Sequence, residues 1–166
     1  KPGEAYVMML TSLNPNAGKT YTIMNIAASM SLKPAKVLII DLDLRKATLS
    51  LALEKNHRGV SAYLNGKEAD FHQNIDKASD TLDNLYILPV RKLPPKPTEL
   101  LLNDRFKSMI DSLRKEYDYI FIDCPPSLEL LTVNALCAAD TILVPVQGEY
   151  YALEGLSDLM NTVRLV

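Results

Sequence analysis

Tyr6-Val7-Met8-Met9-Leu10-Thr11-Ser12-Leu13-Asn14-Pro15-Asn16-Ala17-Gly18-Lys19-Thr20 is the stretch that decides the fold. An apolar run enters a loop of small and turn-forming residues ending Gly-Lys-Thr, and a helical pattern follows over 20–32. Strand, loop and helix in that order make a phosphate-binding loop. Its inward N–H groups surround an anion, and the helix N-terminus adds its positive end. Gly18 lets the backbone approach a phosphate, Lys19 supplies a mobile cation, and Thr20 offers a hydroxyl to Mg2+. The general G-x-x-x-x-G-K-[ST] pattern has glycine where this chain has Leu13. Pro15 and Asn16 are expected to shape the turn instead, because proline fixes φ and asparagine tolerates left-handed geometry. A chance Gly-Lys-Thr at a helix start is the ordinary alternative, and the acidic motifs further along count against it.

Further along the chain, short apolar runs alternate with helical stretches. Strands are expected at 6–11, 36–41, 85–89, 119–123 and 141–146. Val37-Leu38-Ile39-Ile40 and Tyr119-Ile120-Phe121-Ile122 are continuously apolar, as parallel strands covered on both faces require. A helix is expected over 98–116, opened by Pro97-Thr98, with Leu102, Phe106, Met109, Ile110 and Leu113 on one face. Residues 54–84 are polar and weakly patterned, and read as short surface helices and loops. This alternation predicts a single domain over 1–166: a three-layer α/β P-loop NTPase sandwich around a mainly parallel sheet.

Two acidic motifs close these strands. The second ends Asp41-Leu42-Asp43-Leu44-Arg45, and the fourth ends Asp123-Cys124-Pro125-Pro126. Ligands of open α/β sheets sit at the carboxyl ends of the strands, so Asp41, Asp43 and Asp123 are expected on the same rim as the loop. That convergence suits a nucleotide with Mg2+, which takes a hydroxyl, phosphate oxygens and waters ordered by a strand-end carboxylate. Asp123 takes the metal role as the Walker B residue, together with Thr20. Asp41 and Asp43 either hold metal-bound water or accept a proton from the attacking hydroxyl. A single strand-end Asp more often only secures the next helix. Arg45 either contacts a phosphate or pairs with a nearby acid.

Composition sets the outer limits. The 166 residues are 48% hydrophobic and 23% charged, enough for one domain with a real core. The formal net charge of −2 gives no global basic field for nucleic acid. Two cysteines, Cys124 and Cys137, lack metal spacing and read as buried free thiols in a reducing cytosol. No apolar run reaches the length of a membrane span, so a cytoplasmic location is expected, including the cytoplasmic face of a membrane for a longer protein.

These motifs resemble the deviant P-loop ATPases, a group that includes bacterial tyrosine kinases and ParA/MinD-type proteins. From about residue 4 to 126 the chain resembles the cytoplasmic domain of a tyrosine kinase from an exopolysaccharide export system. Thr11-Ser12-x-x-Pro15-x-x-Gly18-Lys19-Thr20 resembles the kinase Walker A, and Asp41-x-Asp43-x-Arg45 the kinase Walker A′. Pro94-Pro95-Lys96-Pro97-Thr98-Glu99-Leu100-Leu101 resembles the kinase Pro-Pro-Asn-Pro-x-Glu-Leu-Leu segment. Asn14 stands where the ParA/MinD branch carries a signature lysine. From Asp123 onward, Ser127-Leu128-x-Leu130-Leu131-Thr132-x-Asn134-Ala135-Leu136 and Val144-Pro145-Val146-Gln147-x-Glu149-Tyr150-Tyr151 resemble a ParA/Soj-type partition ATPase.

The kinase resemblance implies ATP and Mg2+ as cofactors and transfer of phosphate to tyrosine on a protein substrate or on the protein's own subunits. It implies catalytic roles for Lys19, Asp41 and Asp43, and metal contacts from Thr20, Asp41 and Asp123. Nucleotide contacts are implied for Pro15, Asn16, Ala17, Gly18, Lys19, Thr20, Tyr21 and Arg45. A homo-oligomer and a membrane activator protein or segment are the further partners it implies. The alternative is a ParA-type ATPase for chromosome or plasmid partitioning, a nucleotide-switched dimer with DNA as partner. A second alternative is an inactive hybrid or fragment. Both families continue past the equivalent of Val166, so the resemblance implies a sheet left unclosed at its C-terminal side. It also implies a long apolar edge, self-association, and a site lacking its adenine half. The kinases' C-terminal tyrosine cluster is not matched, and Tyr150 and Tyr151 are expected to frame the nucleotide site instead.

Overall fold

The computed structural model describes residues 3–14, 17–44, 46–53, 59–90, 104–126, 130–146 and 150–165. The chain opens with strand β1 (Tyr6–Leu10), helix α1 (Lys19–Ser31) and strand β2 (Val37–Asp41). Two short helices follow, α2 (Thr48–Ala52) and α3 (Val60–Leu64), then a 3-10 turn at His72–Asn74. Strands β3 (Asp76–Lys77) and β4 (Leu85–Leu88) precede helix α4 (Arg105–Leu113) and strand β5 (Tyr119–Asp123). Helix α5 (Leu130–Ala138), strand β6 (Thr141–Leu143) and helix α6 (Tyr150–Leu165) complete the order.

The strands form one sheet in the order β3-β4-β2-β5-β1-β6. All pairings are parallel except β3 with β4. Side-chain alternation divides two cores between its faces. Val37 and Ile39 of β2, Phe121 of β5 and Leu10 of β1 pack with Ile23 and Ala27 of α1. Leu38 and Ile40, Ile120 and Ile122, and Val7 and Met9 face the other way, against Val60 and Leu64 of α3, Phe106, Met109, Ile110 and Leu113 of α4, and Ala135 and Leu136 of α5. The central strands therefore have no polar face, and their continuous apolar runs are a direct consequence of three layers.

All five expected strands form, the last only as Thr141–Leu143. Three corrections to the sequence reading follow. Residues 54–84 contain, besides their short helices, the two-residue strand β3, whose Asp-Lys composition hides it from any apolar pattern. The expected long apolar edge is instead a short one, because β6 ends at Leu143 and β3 bounds the other side. Short edge strands offer little template for pairing. Cys124 is buried, but Cys137 is exposed. The nearly all-apolar sequence of α5 carries no periodicity to reveal its outer face. Thr132, Ala135 and Leu136 turn inward, and Cys137 lies about 100° further round. The beginning of the 98–116 helix and the Pro94–Leu101 segment lie outside the described residues, as do Pro15, Asn16, Arg45, Ser127, Leu128, Gln147 and Glu149. Among the described residues no helix is long and apolar enough to cross a membrane.

Candidate nucleotide site

Three adjacent strand ends build the site. The register sets Leu10 of β1 beside Asp123 of β5, and Asp123 beside Asp41 of β2. The chain leaves β1 through Thr11, whose hydroxyl donates to the Pro125 carbonyl at 3.1 Å and ties the loop to the exit of β5. Gly18 then caps α1 at φ 80°, ψ 13°. A Cβ there would meet no neighbour, so conformation and not space requires glycine. Leu13, at the position of the pattern's missing glycine, packs against α6: a Cβ added at Gly155 would lie 3.5 Å from that of Leu13.

The buried face of α1 carries Lys19, Ile23, Ala27 and Ser31, a strict four-residue spacing. Lys19 thus begins the stripe that packs on the sheet, and its ammonium reaches beneath the strand ends. It donates to Asp123 Oδ1 and to the Cys124 carbonyl, both at 2.5 Å. The Lys19 and Asp123 side chains are only 9% and 1% exposed. Asp123 Oδ2 is buried and has no hydrogen-bond partner among the described residues. Burial pushes the Asp123 carboxyl up to about 7, with Lys19 pulling it down and Asp41 and Asp43 adding to the rise. Burial also raises the Cys124 thiol, which stays protonated and inert.

The second acidic motif divides its labour. Asp41 is fully buried, and its Oδ2 accepts from the Ser50 hydroxyl at 2.6 Å and the Ser50 N–H at 3.0 Å. Its Oδ1 accepts from the Asp43 N–H at 3.0 Å. Burial nevertheless raises its carboxyl above the usual range against these donors. This differs from the expectation that Asp41 faces the ligand. Ser50, nine residues on, supplies two donors and turns the carboxylate into a brace for α2. Asp43, by contrast, stands on the wall of the pocket, and its Oδ1 accepts from the Lys46 N–H at 3.0 Å.

That pocket has a volume of about 240 Å³. Ser12 and Ala17 to Tyr21 line it from the segment after β1, Asp43, Lys46 and Thr48 from the segment after β2, and Pro126 from the exit of β5. Its size falls below the ~300–1,000 Å³ of whole small-molecule sites and suits a polyphosphate better than a complete nucleotide. Sequence reasoning placed Ala17, Gly18, Lys19, Thr20, Tyr21 and Asp43 here, and the structure brings them together. It missed Ser12, Lys46, Thr48 and Pro126. The only sequence signal at Lys46 is its place directly after Arg45, and nothing local announces Ser50. Arg45, Pro15 and Asn16 lie outside the described residues, as do the side chains of Tyr150 and Tyr151.

The residues present fit Mg2+. Among the described residues no cluster of three or more His, Cys, Asp or Glu could hold an ion alone. Mg2+ needs no such cage: it keeps several waters and takes one or two carboxylates plus phosphate oxygens. The unpartnered Oδ2 of Asp123 and the Thr20 hydroxyl supply that kind of donor.

Comparison with known proteins agrees with this geometry. A family model described as an AAA domain matches residues 10–166. The chain is 41% identical over 167 residues to the sporulation initiation inhibitor protein Soj of Bacillus subtilis, covering 96% of this chain and 65% of that protein. It is 35% identical to the chromosome partitioning protein ParA of Myxococcus xanthus, covering 96% of this chain and 58% of the relative. The chain therefore spans less than two thirds of the length of these relatives. Their similarity is not confined to the stretch after Asp123. Among solved structures, the kinase domain of the Escherichia coli tyrosine kinase ETK superposes with a TM-score of 0.88 at 25% identity, covering 99% of this chain and 64% of that one. Cobyrinic acid a,c-diamide synthase of Mycobacterium smegmatis, solved with an ATP analogue and magnesium, gives 0.83 at 27%, covering 96% and 67%.

Proposed function

The chain belongs to the AAA-domain family of P-loop ATPases, and on that premise we propose that it works as a ParA/Soj-type partition ATPase, with bound nucleotide controlling self-association and DNA as the partner. The observation that carries this reading is the match to partition proteins along 96% of the chain, through both strand-end motifs. The kinase-like Walker A, the kinase-like Walker A′ and the 94–101 segment favour phosphotransfer to tyrosine. Sequence similarity over the whole chain weighs more than those three short stretches.

The chemistry follows from the residues. The free N–H groups at the start of α1 orient a phosphate, with Gly18 allowing its close approach. Lys19 carries the buried cation for the phosphates and exchanges Asp123 for them as partner. Thr20 and Asp123 would hold Mg2+, whose charge would offset that developing on the phosphoryl oxygens. Asp43, on the opposite wall, is the carboxylate that orients or deprotonates the attacking water, with Asp41 braced behind it.

The test compares Mg-ATP with Mg-ADP. Sedimentation and retention of non-specific duplex DNA are measured for the wild type and for Lys19→Met, alongside phosphotyrosine formation on the protein and on a tyrosine-containing peptide. Self-association and DNA retention specific to ATP, lost in Lys19→Met, are expected, with no phosphotyrosine. Phosphotyrosine that accumulates with ATP, without DNA retention, would overturn the partition reading in favour of the kinase. The likeness to a tyrosine kinase domain gives that second reading its footing.

A further inference from the structure

The loop between β2 and α2 is built with more care than a connection needs. Asp43 accepts the Lys46 N–H on its side chain at 3.0 Å and the Ala47 N–H on its carbonyl at 2.8 Å. Ala47 sits at φ 48°, ψ 37°, the left-handed region, and among the described residues it is the only non-glycine with positive φ. Ala47 is also buried, at 8% exposure, so its neighbours hold it there. An L-residue held in that region is unfavourable and tends to mark a site that needs a particular loop shape. The product of this shape is the position of Lys46. Its residue is exposed to solvent yet lines the phosphate pocket, across from Gly18 and Thr20. No ion pair engages Lys46 among the described residues, whereas Lys19 is committed to Asp123.

We infer that Lys46 is a second phosphate-binding cation of this site, one that reads the terminal phosphate of a nucleoside triphosphate and so distinguishes it from a diphosphate. The inference rests on the ATPase reading above and deepens it. Sheet order supplies the direction. The Gly18–Thr20 amides open α1, whose Lys19 lies against Asp123 and Cys124 at the end of β5, and the Asp43–Thr48 wall follows β2, the strand next to β5. A phosphate chain seated on the amides extends across β5 toward Lys46 at one end. The nucleoside leaves at the other, past Tyr21, which is 76% exposed beside the amides. Charge points the same way. Lys46 adds a cation to a pocket whose lining also carries the Asp43 carboxylate.

Isothermal titration of the wild type, Lys46→Gln and Lys46→Arg with Mg2+ and either ADP or a non-hydrolysable ATP analogue tests the assignment. Lys46→Gln is expected to weaken the triphosphate about fivefold, equivalent to ~1 kcal/mol, and ADP by less than twofold. Lys46→Arg should restore triphosphate binding to within about twofold, as a retained cation would. The unchanged ADP affinity serves as the check that the pocket is still folded. Equal weakening of both nucleotides, or of neither, would overturn the role of Lys46 while leaving the ATPase reading intact. A wild type that binds neither nucleotide would overturn both, and is a separate result.

Discussion

Lys19→Met removes an ammonium and keeps the length of the side chain, so it isolates what the buried pair with Asp123 does for stability. Breaking a buried pair by deleting one partner costs about 3–5 kcal/mol when the other charge stays behind. Here the charge need not stay. Burial has already raised the Asp123 carboxyl to about 7 in the presence of Lys19, with Asp41 and Asp43 adding to the rise. Without the cation the carboxyl keeps its proton to higher pH. The slope of stability with pH follows the protons bound in the unfolded chain minus those in the folded one. An unfolded Asp has lost its proton by about pH 6, so a folded state that still holds one loses stability as pH rises. In the wild type that decline ends near pH 7, and in Lys19→Met it continues upward. The Cys124 thiol, also in contact, stays protonated in both folded proteins, so the slope it adds where the unfolded thiol titrates is the same in each and cancels in the comparison. At pH 6.5 the variant should lose about 1–3 kcal/mol, from the Cys124 carbonyl left without its donor. Each further pH unit above 7 adds at most about 1.4 kcal/mol, so at pH 8.5 the loss should be larger by up to ~2 kcal/mol. Urea denaturation of both proteins at pH 6.5, 7.5 and 8.5 measures this directly. A loss of equal size at all three pH values would refute the coupling and leave Asp123 ionised in both proteins.

Two further expectations concern contacts away from the ammonium. Ser50→Ala removes a hydroxyl that donates to Asp41 and accepts the Val90 N–H at 2.8 Å, leaving buried polar groups short of partners. It should cost about 2–3 kcal/mol in urea denaturation, and a loss below 0.5 kcal/mol would mean that water replaces it. His72 donates from both ring nitrogens when protonated, to Asp70 at 2.7 Å and to Glu116 at 2.8 Å, and those carboxylates raise its pKa, the bond to Glu116 most of all. A raised His contributes stability that is present below its unfolded pKa and is lost as pH rises through the folded one. His72→Asn should therefore destabilise more at pH 5.5 than at pH 8.5, and the reverse order in thermal melts would rule the tie out.

The phosphate loop, its strand and its helix were legible from residues 6–32 alone, because a continuous apolar strand, a glycine that must adopt φ 80° and a four-residue stripe are local properties. Both acidic motifs were legible for the same reason, since each directly follows an apolar strand whose carboxyl end faces the ligand rim. Chain-local pattern therefore specified the elements, the three-layer class and most of one pocket wall. It did not specify what those carboxylates touch. Lys19 and Asp123 are 104 positions apart, and they meet because β5 is inserted between β1 and β2. Asp41 is engaged by Ser50, and Lys46 lines the pocket beside a left-handed Ala47, neither of which alters any periodicity. Leu13, where the pattern has a loop glycine, lies against Gly155 of α6, from the other end of the chain. Backbone sterics and hydrophobic period act over a few residues and can be read in order along the chain. Partner choice and burial arise only when distant segments are packed together, and there the tertiary structure decided.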